Sequence, residues 1–317
     1  MPFCHFANTV RNLNLKGFSK LKIIDAHTHF FSYTWLEHFC QLAAGQFSNV
    51  EALAEKLGWE MPSKDPVELG ERWVQEQDKF ELKRQVLFAS KLNDAEELAP
   101  ALNAFPDRLI GYFMIDPKQE DARNQAHYSF NILGMRGVML FPAMHHFHAS
   151  EEKVHLIYEE ALYAEAPVFV HFGQLSIPIF QKLGLPDPVD LKYSNPLDLR
   201  EAAAEFSDVN FIIPHFGCGR FEEALNVAAE FKNVYFDTSS SNSWIQLPLT
   251  LKDVFKKSLQ VLGPERLLFG TDSSFFPRGW RKDIFDKQVQ VLDSLGVRKR
   301  DKKLIFAGNI ARLLGLK

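Results

Sequence analysis

The sequence predicts an α/β fold: a (β/α)8 TIM barrel with a helical insertion after strand one. Three observations predict it. Eight short, almost continuously apolar runs recur along the chain, as expected of strands covered on both faces. Helical patterns separate them, and every gap is long enough for a crossover helix between parallel strands. No Gly-rich phosphate turn follows the first run, which argues against an open doubly wound sheet. A length of 317 residues then suits one barrel better than two domains.

The runs are 21–26, 85–89, 109–115, 137–141, 168–171, 210–215, 234–237 and 267–272. Helical patterns follow at 95–104, 120–133, 151–164, 196–206, 221–231 and 249–262. Residues 30–80 are too long for one βα loop and carry helical patches at 34–44, 50–57 and 66–79, so they read as an insertion or lid. A second excursion, 173–195, is rich in Pro and Leu, and an amphipathic stretch at 303–316 is expected on the barrel's outside. Residues 1–20 carry Arg11, Lys16 and Lys20 without an acid and read as an N-terminal extension of a single 21–317 unit.

Composition narrows the function. A net charge of -4 gives no basic field for nucleic acid. Cys4, Cys40 and Cys218 are too few and too dispersed for a disulfide framework or a thiolate zinc site, which fits a reduced, cytoplasmic setting. No apolar stretch long enough for a membrane span occurs, and the first residues lack a signal peptide's apolar core. Two entries stand out: 29 Phe against 7 Tyr, and 11 His.

The histidines mark the ends of the predicted strands. In Ile24-Asp25-Ala26-His27-Thr28-His29-Phe30, His27 and His29 are two apart, which places neighbouring imidazoles on one side of a strand. His171 ends Val168-Phe169-Val170, His215 ends Phe211-Ile212-Ile213-Pro214, and Asp272 ends Leu267-Leu268-Phe269-Gly270-Thr271. One such residue could merely cap a strand. Five at the C-terminal ends of strands one, five, six and eight converge on the face where barrel active sites lie. Imidazole and carboxylate suit zinc, manganese, iron or nickel, and three histidines with one carboxylate leave a position for water.

These segments resemble the amidohydrolase superfamily, in its branch of aminocarboxymuconate semialdehyde decarboxylase and related metal-dependent hydrolases. Gly134-Met135-Arg136-Gly137-Val138-Met139-Leu140 and the closing Ala307-Gly308-Asn309-Ile310-Ala311-Arg312-Leu313-Leu314 are similar to that branch as well. The resemblance implies His27, His29, His171 and Asp272 as ligands of one divalent metal, zinc being expected. It implies His215 and Asp272 as the catalytic proton carriers. Binuclear members bridge two metals with a carboxylated lysine at strand four. Here that strand reads Val138-Met139-Leu140-Phe141-Pro142, without lysine, so a mononuclear site is expected.

A divalent metal lowers the pKa of bound water to roughly 7 and so supplies a nucleophile. The leading expectation is a hydrolase of a small amide, ester or lactone. The alternative is a decarboxylase or hydratase of an unsaturated or aromatic acid, and a further one is an inactive barrel acting as a binding protein. The expected partner is a small molecule, with a carboxylate for which Arg278 or Arg281 is a clamp. The competing reading pairs these arginines with Asp283 or Asp286. Trp244, Phe275 and His145 are further substrate-contact candidates, although His145-His146-Phe147-His148 also reads as a loop-packing histidine run. Phe172 and Phe216 are expected to support the imidazoles, and Asp25 either orients a ligand or closes a strand-end network. Relatives suggest a homodimer.

Overall fold

A computed structural model describes residues 22–43, 45–174, 177–239, 245 and 248–316. The extension 1–20 and Trp244 lie outside the described residues. Eight parallel strands follow one another around a sheet in chain order. They are β1 (Ile23–Phe30), β2 (Leu82–Leu92), β3 (Leu109–Met114), β4 (Gly137–Leu140), β5 (Val168–Val170), β6 (Phe211–Ile213), β7 (Val234–Asp237) and β8 (Leu267–Leu268). Beyond Leu268 the chain bonds back to β1. Ala26 N donates to Phe269 O, Asp272 N to His27 O and His29 N to Ser273 O, at 2.9, 2.9 and 2.7 Å. These bonds close the barrel at the two segments that carry His27, His29 and Asp272.

Alternation of side chains along each strand divides the apolar residues into two cores. Val86, Phe88, Tyr112, Met139, Phe169, Ile212 and Leu268 fill the barrel interior. Leu87, Val138, Val170, Phe211, Phe236 and Phe269 face the helix layer. Ile310, Leu313 and Leu314 join the interior core beside Ile24, so the C-terminal stretch closes the barrel's N-terminal end instead of only flanking it. Asn309 Nδ2 pins that stretch to Pro264 O and Leu267 O at 2.7 and 2.8 Å.

The insertion after β1 forms α1 (Tyr33–Leu42), α2 (Val50–Leu57) and α3 (Pro66–Phe80). Ser32, Asn49 and Asp65 cap their N-termini with side-chain oxygens. Trp35, Leu36, Phe39, Leu53 and Leu57 pack with Ile179 and Leu183 of the second excursion. The two excursions therefore share a small third core at the end of the barrel where they leave the strands. Among the described residues, no helix is long and apolar enough to cross a membrane.

Candidate metal centre

The centre begins with an irregularity in β1. Its register against β2 shifts between Asp25 and Thr28. Ile24 and Ala26 pack into the barrel interior, yet His27 and His29 also converge, with their Nε2 atoms 3.3 Å apart. The shift also turns Asp25 away from the imidazoles, which a regular strand would not do. Asp25 instead accepts from His27 N at 3.0 Å and from Thr271 N, Thr271 Oγ1 and Trp280 Nε1 at 3.1, 2.5 and 2.7 Å. It is the strand-end network, joining β1 to the segment that carries Asp272. Burial pushes its carboxyl up to about 6, although those hydrogen bonds pull the other way.

Asp272 Oδ1 lies 3.0 Å from His29 Nε2 and 3.7 Å from His27 Nε2. Ligand atoms of one tetrahedral metal at about 2.1 Å sit roughly 3.4 Å apart, and the three separations bracket that value. The outer nitrogens support the same reading. His27 Nδ1 faces Asp237 Oδ2 at 3.2 Å and Ser239 Oγ at 2.8 Å. His29 Nδ1 meets Ser90 Oγ at 2.7 Å, and that hydroxyl donates to Phe88 O. With Nδ1 protonated on both rings, two nitrogen lone pairs and a carboxylate oxygen point at one another. Three acceptors without a donor demand either a proton or a cation. The residues fit a divalent metal.

The other strand-end residues stand close by. The His215 ring stacks 5.2 Å from His27 and lies tilted 5.0 Å from His171. His215 Nδ1 donates to Ser239 O at 2.7 Å, which makes Nε2 its acceptor nitrogen. His171 stacks on Phe141 at 4.8 Å, and its buried Nδ1 has no hydrogen-bond partner among the described residues. Its nitrogens do not join the close group of His27, His29 and Asp272. A second close group comprises His27, His215 and Asp237.

Two of these residues hold unusual backbone. His215 and Asp272 have φ of 53° and 58°, a left-handed conformation that non-glycine residues adopt at a cost of about 1–3 kcal/mol. The left-handed turn after β6 continues through Phe216, Gly217 and Cys218. Gly173, after β5, packs against it so closely that a Cβ there would lie 2.4 Å from the Gly217 and Cys218 carbonyls.

Charge is arranged for a cation. Burial alone would raise Asp272, but the His29 hydrogen bond and the neighbouring His27, His29 and His215 hold it well below the usual carboxylate range. Burial likewise opposes ionised Asp237, and His27 outweighs it. His29, His171 and His215 are shifted down, chiefly by burial. His27 is the exception: burial disfavours its cation, but Asp237, Asp272 and Asp25 together raise its pKa. A proton on His27 and a metal ion therefore compete for the same place. Metal affinity should therefore fall as pH drops below the raised His27 pKa, by about tenfold per unit, with a proton released on binding there. Calorimetric titration of Mn²⁺ in buffers of different ionisation enthalpy measures this release.

Support for the imidazoles comes from Phe88 and Phe169, 4.8 and 5.0 Å from His27. Phe172 and Phe216 were expected there, but each is one residue from its histidine and so points outward, into the helix layer. Arg281 pairs with Asp283 through two bonds of 2.7 and 2.6 Å. Arg278 has no carboxylate within ion-pair distance among the described residues, and Asp272 and Asp283 act on it at longer range. Its guanidinium lies 4.4 Å over Phe275 and donates to Asp272 O and Ser274 Oγ. Phe275 stacks on Trp59 at 4.2 Å, and Trp59 approaches Phe31 and Trp35. His146 and His148 are loop-packing residues, bonded to Pro188 O and Asp198. His145 has a buried Nδ1 without a partner among the described residues, and burial pushes its pKa down to about 4.

Sequence reading did not single out Asp237, Ser239 or Ser90, which hold the outer faces of the imidazoles. The polar end of the Val234–Asp237 run was the one available signal.

The amidohydrolase family model matches residues 24–316. The chain belongs to the amidohydrolase family. It is a metal-dependent enzyme, and His27, His29 and Asp272 form a group that could hold one metal ion. Protein fluG of Emericella nidulans is 30% identical over 105 residues, which are 32% of this chain and 12% of that protein. Two solved structures share the family's barrel. A manganese-bound 5-carboxyvanillate decarboxylase from Novosphingobium aromaticivorans has a TM-score of 0.64 at 15% identity, covering 94% of this chain and 98% of that one. A probable 2-pyrone-4,6-dicarboxylic acid hydrolase from Acinetobacter baumannii has a TM-score of 0.61 at 14% identity, covering 93% and 100%.

Proposed function

We propose that the protein is a metal-dependent lyase that removes carbon dioxide from a small aromatic or conjugated carboxylic acid. The observation that carries this reading is Arg278, a cation that makes no direct ion pair among the described residues, with Asp272 and Asp283 acting on it only at longer range. It lies on the aromatic wall of Phe275, Trp59 and Phe31 and is bonded to the backbone of Asp272. A flat anion suits that surface. The decarboxylase among the similar structures supports the same choice over simple hydrolysis.

In this reading His27, His29 and Asp272 hold the metal, with His171 as a further ligand. A divalent cation there supplies Lewis-acid stabilisation of negative charge on the substrate's oxygens. Zinc fits the imidazole-rich donor set, and manganese is the other metal to test, given the manganese-bound relative. Arg278 receives an acidic substituent, and Phe275 aligns the ring. His145 and Trp244 are further contacts. Asp272 is ionised at rest, held so by the imidazoles and by any bound cation, so its proton comes from solvent as the substrate's negative charge arrives beside it. As the carbon–carbon bond breaks, its electron pair stays on the ring carbon and takes the proton from Asp272, and carbon dioxide leaves. Asp272 regains a proton from solvent, to which 25% of its side chain is open. His215, with Nδ1 fixed by Ser239 O, is the second proton carrier.

Hydrolysis of a small amide, ester or lactone is the second reading, favoured by the similar dicarboxylic acid hydrolase. There His215 would take the proton of the attacking water. The test is a panel of hydroxybenzoates, unsaturated dicarboxylates and lactones with metal-loaded protein in deuterated and ¹⁸O-labelled water. Carbon dioxide release with one deuterium at the vacated carbon is expected. Incorporation of ¹⁸O without carbon dioxide would replace the lyase by a hydrolase. For the active acid, Arg278→Met should raise KM by about tenfold or more, the loss of a hydrogen bond to a charged group, with less change in kcat. Steady-state kinetics at constant metal content measure this split.

A further inference from the structure

We propose that Glu76, on helix α3 of the insertion, is a positioning residue for the metal centre. The proposal rests on the metal-centre assignment and not on the lyase reading. Glu76 is nearly buried, although it belongs to an excursion where a carboxylate could face water at little cost. Its Oε2 accepts from Trp280 N at 3.0 Å, and Lys79 Nζ balances Oε1 at 3.1 Å. Gly279 makes the approach possible: it has φ of +61°, and a Cβ there would lie 2.5 Å from Glu76 Oε2.

From Trp280 the connection continues without a gap. Trp280 Nε1 donates to Asp25 Oδ2 at 2.7 Å. Asp25 Oδ1 accepts from the backbone N–H of His27 and of Thr271, the residue before Asp272. Asp272 N in turn donates to His27 O. Trp280, Asp25 and Thr271 are all buried, so water cannot replace a lost partner cheaply. Glu76 thus fixes the indole that fixes the carboxylate that sets the backbone of two ligands. The insertion is part of the scaffold of the centre and more than its cover.

The insertion has an independent anchor, Glu60 N donating to Phe276 O at 2.8 Å, so removing Glu76 should not detach it. The test is calorimetric titration of Mn²⁺ into the full chain and four variants, with folding checked by circular dichroism. Glu76→Ala should weaken Mn²⁺ binding by about tenfold, the lower end for residues that orient ligands. Glu76→Gln should restore near-wild-type affinity, because its amide oxygen accepts the same N–H. Trp280→Phe should resemble Glu76→Ala, and the double variant should be little worse than either single one. A folded Glu76→Ala protein with wild-type Mn²⁺ affinity would overturn the proposal, as would a Gln variant as weak as the Ala variant. Should Glu76→Ala not fold, wild-type affinity in Trp280→Phe overturns it. Absence of Mn²⁺ binding in the wild type would instead remove the metal centre itself.

Discussion

Asp272→Asn is expected to lower kcat by roughly a thousandfold while leaving the protein folded. The substitution is chosen for its backbone. Asp272 sits at φ of 58°, and asparagine is among the few residues that tolerate the left-handed region. The amide oxygen can still face His27 and His29, so the shape of the site is kept. The amide has no negative charge for a cation and no carboxyl proton for a substrate carbon. Single-turnover rates at saturating metal separate these losses. A rate within tenfold of wild type, with metal bound, would remove Asp272 from the chemistry.

Asp237→Asn should weaken metal binding by about 10- to 100-fold without touching a ligand atom. Asp237 is fully buried, accepts from Ser239 N at 2.7 Å and faces His27 Nδ1 at 3.2 Å. An amide that keeps its oxygen toward Ser239 turns its NH2 group toward His27. The imidazole must then carry its proton on Nε2, the atom that faces Asp272 and His29. His215 is disturbed as well, because Ser239 holds its Nδ1. Competition titration with a chromophoric chelator reads the affinity, and an unchanged value would show that Asp237 does not set the His27 tautomer.

The contrast between Asp272 and Asp237 explains what could be read in the sequence. Parallel barrel strands are apolar on both faces, so a histidine or aspartate that ends such a run stands out, and His27, His29, His171, His215 and Asp272 all did. Asp237 also ends a run, but a lone acid after Val234-Tyr235-Phe236 has no spacing partner, and Ser239 and Ser90 are common loop residues. Their roles arise from contacts across strands. The β1 irregularity was hidden for a similar reason: a register shift depends on what β2 offers, and it moved Asp25 from the ligand side to the Thr271–Trp280 network. Strand alternation, by contrast, was available in the sequence and places Phe172 and Phe216 outside the barrel. The phenylalanine excess thus serves mostly the two cores, and the described ones nearest the centre are Phe88, Phe169, Phe31, Phe141 and Phe275.

A single divalent metal held by His27, His29 and Asp272 requires one ion per chain that both imidazoles help to retain. Elemental analysis of the purified wild-type chain beside the His27→Ala, His29→Ala double variant measures this, after both are loaded with Zn²⁺ or Mn²⁺ and desalted. One metal ion per wild-type chain and essentially none in the variant are expected. A wild-type chain that retains no metal, or a variant that retains as much as the wild type, would contradict such a centre.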